Sequence, residues 1–91
     1  MTRYRIPHAV LRATMDDEEV LLNQNTGVYH LVNPTGLSLI RSFEAGDSLE
    51  QAIAALAEET GVDRRRIEVE ASEFVDAMLV RGLLEPAIDR A

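Results

Sequence analysis

The side chains best suited to chemistry in this 91-residue chain are two histidines, a few serines, a run of carboxylates and a run of arginines. His8 and His30 stand 22 positions apart, with no cysteine anywhere to complete a metal site. A Ser/His/acid set can be assembled on paper from Ser38, His30 and Asp47, but no nucleophile-elbow pattern surrounds the serine. Asp16, Asp17, Glu18 and Glu19 are consecutive, whereas a calcium loop needs alternating ligands and a central glycine, so they read as a solvated turn. Gly27, Gly36, Gly46, Gly61 and Gly82 sit at element ends and form no phosphate-cradling loop. The expectation is no catalytic site, no metal and no cofactor.

Arg64, Arg65 and Arg66 fall in the first turn of a predicted helix, the end where the helix dipole disfavours cations. They are open to two readings: capture of an acidic partner segment, or local pairing with Glu58, Glu68 or Glu70. Nucleic acid is a poor partner, because the same helix carries Glu68, Glu70, Glu73 and Asp76 and the formal net charge is -7.

The elements that would position these groups can be traced along the chain. Apolar residues make up 46% of it, which fits one small globular domain with its core within residues 8–85. No apolar run reaches bilayer-spanning length and the first ten residues lack the apolar core of a signal peptide, so a soluble cytoplasmic protein is expected. Residues 8–14, 20–22 and 28–32 read as three strands, joined by the acidic turn and by the loop NQNTG, an antiparallel meander. Asn33 and Pro34 then switch the chain to helix, as N-cap and first helical residue. Ser48 and Gln51 open a second helix with a capping box. Asp63 caps a third, over residues 64–81. The tail, 83–91, starts apolar and then frays. The order β-β-β-α-α-α gives an α+β domain of winged-helix-like layout.

Two features stand out. In the third helix Ile67, Ala71, Phe74, Val75, Ala77, Met78 and Leu79 cover an arc of about 200°, when packing on one side needs little over about 100°. That helix is either the centre of a small core or the wall of a groove. The third strand, VYHLV, lies at an edge of the meander and carries no Lys, Pro or bulge to blunt it. Such an edge invites aggregation or takes up a partner peptide as an added strand.

The chain also resembles a known family. VLLN at 20–23, TGVYHLVNPTG at 26–36, SLEQAIAAL at 48–56 and EFVDAMLVRGLLE at 73–85 are similar, in order and spacing, to the PqqD-like domains. These are the peptide-recognition elements (RREs) of RiPP biosynthesis, pathways that modify ribosomally made peptides. The cluster Gly27, Tyr29, Asn33, Pro34, Thr35 and Gly36 looks most like the standalone members of lasso-peptide biosynthesis. Val32 stands where those proteins usually have Leu, a conservative core change. The resemblance implies a non-catalytic protein that binds the leader segment of a precursor peptide beside the third strand, in a cleft shared with the third helix. The implied partners are that leader, a transglutaminase-like cysteine protease acting as leader peptidase, and an ATP-dependent cyclase. Within the same family, a peptide chaperone for a radical enzyme is the alternative, and a winged helix-turn-helix DNA regulator is a remote one. Carried onto this sequence, the peptide-binding residues are Val28, Tyr29, His30, Leu31 and Val32 on the strand, with Ile67, Glu70, Ala71, Phe74 and Met78 on the helix. Tyr29 and Phe74 would wall an apolar pocket for a Tyr and a Pro of the leader. Gly27, Asn33, Pro34 and Gly36 would hold the strand-to-helix corner.

Overall fold

A computed structural model describes residues 2–16 and 18–87. Its elements are β1 (Tyr4–Arg5), β2 (Val10–Met15), β3 (Glu18–Asn23), β4 (Tyr29–Val32), α1 (Pro34–Glu44), α2 (Leu49–Thr60), α3 (Arg64–Val80) and β5 (Glu85–Pro86). The fold is α+β: a three-stranded antiparallel sheet in the order β2-β3-β4, followed by three helices.

Local chemistry accounts for the turns. Asp16 takes the left-handed conformation (φ 55°) between β2 and β3, a region Asp tolerates better than most residues. Between β3 and β4, the Gly27 N–H donates to the Asn23 carbonyl while the Asn23 N–H donates to the Val28 carbonyl, each at 2.8 Å. That is the pattern of a G1 bulge, and Gly27 has the φ of +76° it requires. The bulge uses residues 27 and 28, so β4 begins at Tyr29 and not at Val28, and the strand expected to carry no bulge is entered through one. Likewise β2 begins at Val10 and not at His8, because the Val10 N–H folds back onto the Pro7 carbonyl at 3.1 Å.

The helices start as their caps dictate. Asn33 accepts from the Gly36 N–H at 2.8 Å, with Pro34 inside the first turn of α1. At α2 the Gln51 N–H donates to Ser48 Oγ while the Ser48 N–H donates to Gln51 Oε1, a complete capping box. Asp63 accepts from the Arg65 N–H at the head of α3.

The core lies between the sheet and the helices. Leu21, Val32, Leu39, Ile40, Met78 and Leu83 are its best-buried apolar residues. The sheet alternates strictly. Val10, Leu21 and Val32 face the helices. The opposite face carries two cross-strand rows, Leu11–Leu22–Tyr29 and Ala13–Val20–Leu31. Leu11 (52%), Tyr29 (70%) and Leu31 (55%) are open to solvent there.

The tail departs from expectation. Leu83 and Leu84 are buried, and β5 pairs with β1 through Tyr4↔Pro86 and Arg5↔Glu85. Tyr4 also packs on Phe43, ring centroids 5.4 Å apart. The compact region therefore extends outward from residues 8–85 to residues 4–86. Residues 88–91, where fraying was expected, lie outside the described residues.

Candidate functional site

β4 is an edge strand, and its backbone has two sides. Because Val28 bonds to β3, the alternation of an antiparallel pair directs the polar groups of His30 and Val32 to β3 as well. The N–H and C=O of Tyr29 and Leu31 then point to the free edge. Four hydrogen-bonding groups are presented there without any side chain taking part.

α3 stands beside this edge. Glu70, Phe74, Ala77 and Arg81 recur at helical spacing and share one face, with Glu73 next to them. A cavity of about 490 Å³ opens between that face and the start of α1, lined by Asn33, Thr35, Gly36, Leu39, Glu70, Glu73 and Phe74. Gly36 sets its width. A Cβ there would lie 2.7 Å from Phe74 Cε1 and 2.9 Å from Val32 Cγ1, so only glycine lets the ring lie against the first turn of α1.

At the other end of the groove, His30 turns its ring edge toward Phe74, centroids 6.4 Å apart, and accepts a hydrogen bond from the Arg81 guanidinium at Nδ1. Burial, and secondarily the Arg81 charge, pull the His30 pKa below its ordinary value. A guanidinium can only donate, so this bond fits the neutral ring with its proton on Nε2. The Asn23 side chain ties the hairpin to the end of α3, donating from Nδ2 to the Gly82 carbonyl at 3.1 Å and, more weakly, to the Arg81 carbonyl at 3.3 Å.

The expected site residues separate into groups. Val28, Tyr29 and Leu31 are exposed, His30 is half-buried, and Glu70 is exposed and pairs with Arg66 at 3.5 Å. Val32, Ile67, Ala71 and Met78 have their side chains in the core, Met78 with no exposed surface at all, so they present no side chain to a groove. The 200° arc of α3 is therefore mostly core packing. The pocket expected between Tyr29 and Phe74 is also corrected. Tyr29 projects from the outer face of the sheet, and it is His30, one residue on, that faces Phe74. Gly27 forms the bulge, Asn33 and Pro34 start α1, and Gly36 provides the close approach.

Thr35, Leu39 and Glu73 line the cavity and Arg81 flanks it, all outside the expected site residues. The i+3 spacing of Glu73 from Glu70 and the i+7 spacing of Arg81 from Phe74 were the available signals for the α3 members. The arginine run resolves to local pairing, Arg64 with Glu68 at 3.3 Å and Arg66 with Glu70. Ser38 borders a different cavity, with Thr14, Asp16, Pro34, Leu37 and Arg41, away from His30. Among the described residues no three histidines or carboxylates converge as a metal would require. What the arrangement offers is a backbone edge, an apolar ring and charged flanks, the means to hold an extended peptide.

Two solved structures share this architecture. One, TbiB1 in complex with the TbiA(beta) leader peptide, superposes with a TM-score of 0.81 at 34% identity, covering 93% of this chain and 99% of that one. The other, lasso peptide synthetase B1 complexed with the leader peptide, has a TM-score of 0.82 at 24% identity over 92% and 99%, a likeness of fold. Comparison with curated proteins gives no significant match. The family described as coenzyme PQQ synthesis protein D matches residues 18–84. Two of the three sheet strands, β3 and β4, the bulge, the caps and all three helices fall within that match, and the chain belongs to the PqqD family.

Proposed function

We propose that this protein captures the leader segment of a ribosomally made precursor peptide, a lasso-peptide precursor, as an added strand along β4. It presents that segment to a leader peptidase of the transglutaminase-like cysteine protease type and to an ATP-dependent cyclase. It has no catalytic role of its own and works in the cytoplasm, where precursors are made; among the described residues no helix is long and apolar enough to cross a membrane.

One observation carries the reading. The β4 edge, with the N–H and C=O of Tyr29 and Leu31 turned outward beyond the bulge, lies beside an open cavity under Phe74, in a fold shared at 34% identity with a protein seen holding a leader peptide. The second reading is a peptide chaperone for a radical or other peptide-modifying enzyme, favoured by a family description that names coenzyme PQQ synthesis. Which enzymes form a complex with this chain and the peptide separates the two. Salt-dependent binding of duplex DNA would instead support a regulator.

Main-chain pairing gives affinity with little sequence preference, and a disordered leader loses entropy on ordering. Binding in the nanomolar-to-micromolar range follows, about -8 to -12 kcal/mol. The test is a fluorescence-anisotropy titration of the labelled leader peptide encoded beside this chain. Saturable binding is expected. No binding up to about 100 μM, about -5.5 kcal/mol, would overturn the reading for the isolated chain.

A further inference from the structure

The groove has charges of opposite sign at its two ends. Where β4 runs into α1, Glu70 and Glu73 line the cavity. Glu70 is partly neutralised by Arg66. Glu73 makes no ion pair among the described residues, nor does Arg81 at the opposite end, where the His30 hydrogen bond holds its guanidinium over the strand. Phe74 and Ala77 lie between these ends on the same helical face.

From this polarity, and resting on the reading of β4 as the peptide edge, we infer that the groove selects the charge order of its peptide and thereby fixes its register. The sheet is antiparallel throughout, and antiparallel pairing is the more stable kind. An added strand therefore runs opposite to β4, from the Glu70/Glu73 end toward Arg81. Glu73 and Arg81 are eight helical residues apart, about 12 Å at 1.5 Å per residue. Four extended residues span about 13 Å. An even spacing also keeps both peptide side chains on one face of the strand.

The favoured ligand is a segment with Lys or Arg at position i, an apolar residue at i+2 over Phe74 and Ala77, and Asp or Glu at i+4. The reverse order places like charges against each other at both ends. A strand shifted by one residue turns all three side chains away from α3. The main-chain bonds are indifferent to sequence, so this charge pair supplies a discrimination that the edge cannot.

The experiment uses the full chain and the labelled leader peptide encoded beside it, titrated against wild type, Glu73→Gln and Arg81→Gln at low and high salt. Circular dichroism checks the fold of each variant, and Glu59→Gln on α2 serves as a remote control. Each groove variant is expected to weaken binding about threefold to tenfold at low salt, with the difference shrinking as salt screens the pair. Exchanging the peptide's own basic and acidic residues is expected to weaken wild-type binding and to restore binding to the double variant Glu73→Arg/Arg81→Glu. If the leader binds wild type but both single variants stay within twofold of it, the charge-order inference is wrong and the proposed function stands. If the leader fails to bind wild type at all, the proposed function falls and takes this inference with it.

Discussion

The sheet has two edges, and they differ in everything but backbone. β2 and β4 each end the three-stranded order with one side unpaired by another strand. At β2 the outward groups belong to Val10, Arg12 and Thr14 by the same alternation. One of them, the Val10 N–H, is already bonded to Pro7. The Arg12 side chain is clamped by Glu19 of β3 and Glu44 of α1, so a charged network flanks that edge. β4 has no charged residue, and beside it stands α3 with its ring and cavity. An edge becomes a binding site when a second element stands next to it to read the incoming side chains. Hydrogen-bonding capacity alone does not distinguish the two.

The largest expected effect tests that contrast directly. Leu31→Pro removes an outward N–H from β4 without touching its bonds to β3, and leader affinity in the anisotropy titration should fall about a hundredfold. Thr14→Pro makes the same change at the β2 edge and should leave affinity within about twofold. Equal losses at both edges would end the comparison. Next in size, Phe74→Ala should cost about 2 kcal/mol of binding, read as a rise of about thirtyfold in Kd, if the ring is the anchor beside β4. Gly36→Ala forces a methyl into Phe74 and Val32. Urea titration should show a loss of about 1–3 kcal/mol in stability, and displacement of the ring should weaken binding as well.

The smallest effect is a pH dependence. His30 has a folded pKa below its ordinary value of about 6.5, so between these two values the unfolded chain binds more protons. His30's contribution to stability is present above about pH 6.5 and is lost as pH falls through the folded pKa. A urea midpoint measured at pH 7.5 and 5.5 should drop more for wild type than for His30→Asn, by less than the Gly36→Ala effect. The ring is half-exposed, so solvent screens much of the shift. An equal drop in both proteins would remove His30 from the account.

The contrast also shows where sequence reading succeeds. Asn33-Pro34 and the Ser48/Gln51 pair were legible because a cap is complete within four residues. The β4 edge was legible because its lack of Lys and Pro is a property of the strand itself, whereas the bulge at its entry depends on how the hairpin loop closes. The facing of Tyr29 and His30 was not. In VYHLV both faces are apolar, so alternation says that neighbours diverge but not which one meets the helices. The same degeneracy affects α3: an arc wide enough for two surfaces gives no sign of which residues form which, and Met78 lies in the core while Glu73 and Phe74 line the cavity. β1 and β5, at two residues each, are shorter than any periodicity, and their pairing joins residues far apart in the sequence.

The outer face of the sheet has a consequence of a colloidal kind. Its two apolar rows are exposed, and what opposes their sticking to another molecule at neutral pH is the mutual repulsion of chains that each carry a formal charge of -7. That repulsion is long-ranged only in dilute salt and vanishes near the sequence pI of about 4.7. The protein should therefore be kept dilute, near neutral and at low ionic strength, and in acid it should cloud before it unfolds. Net charge is what holds copies of the chain apart at neutral pH, while the surface itself stays adhesive.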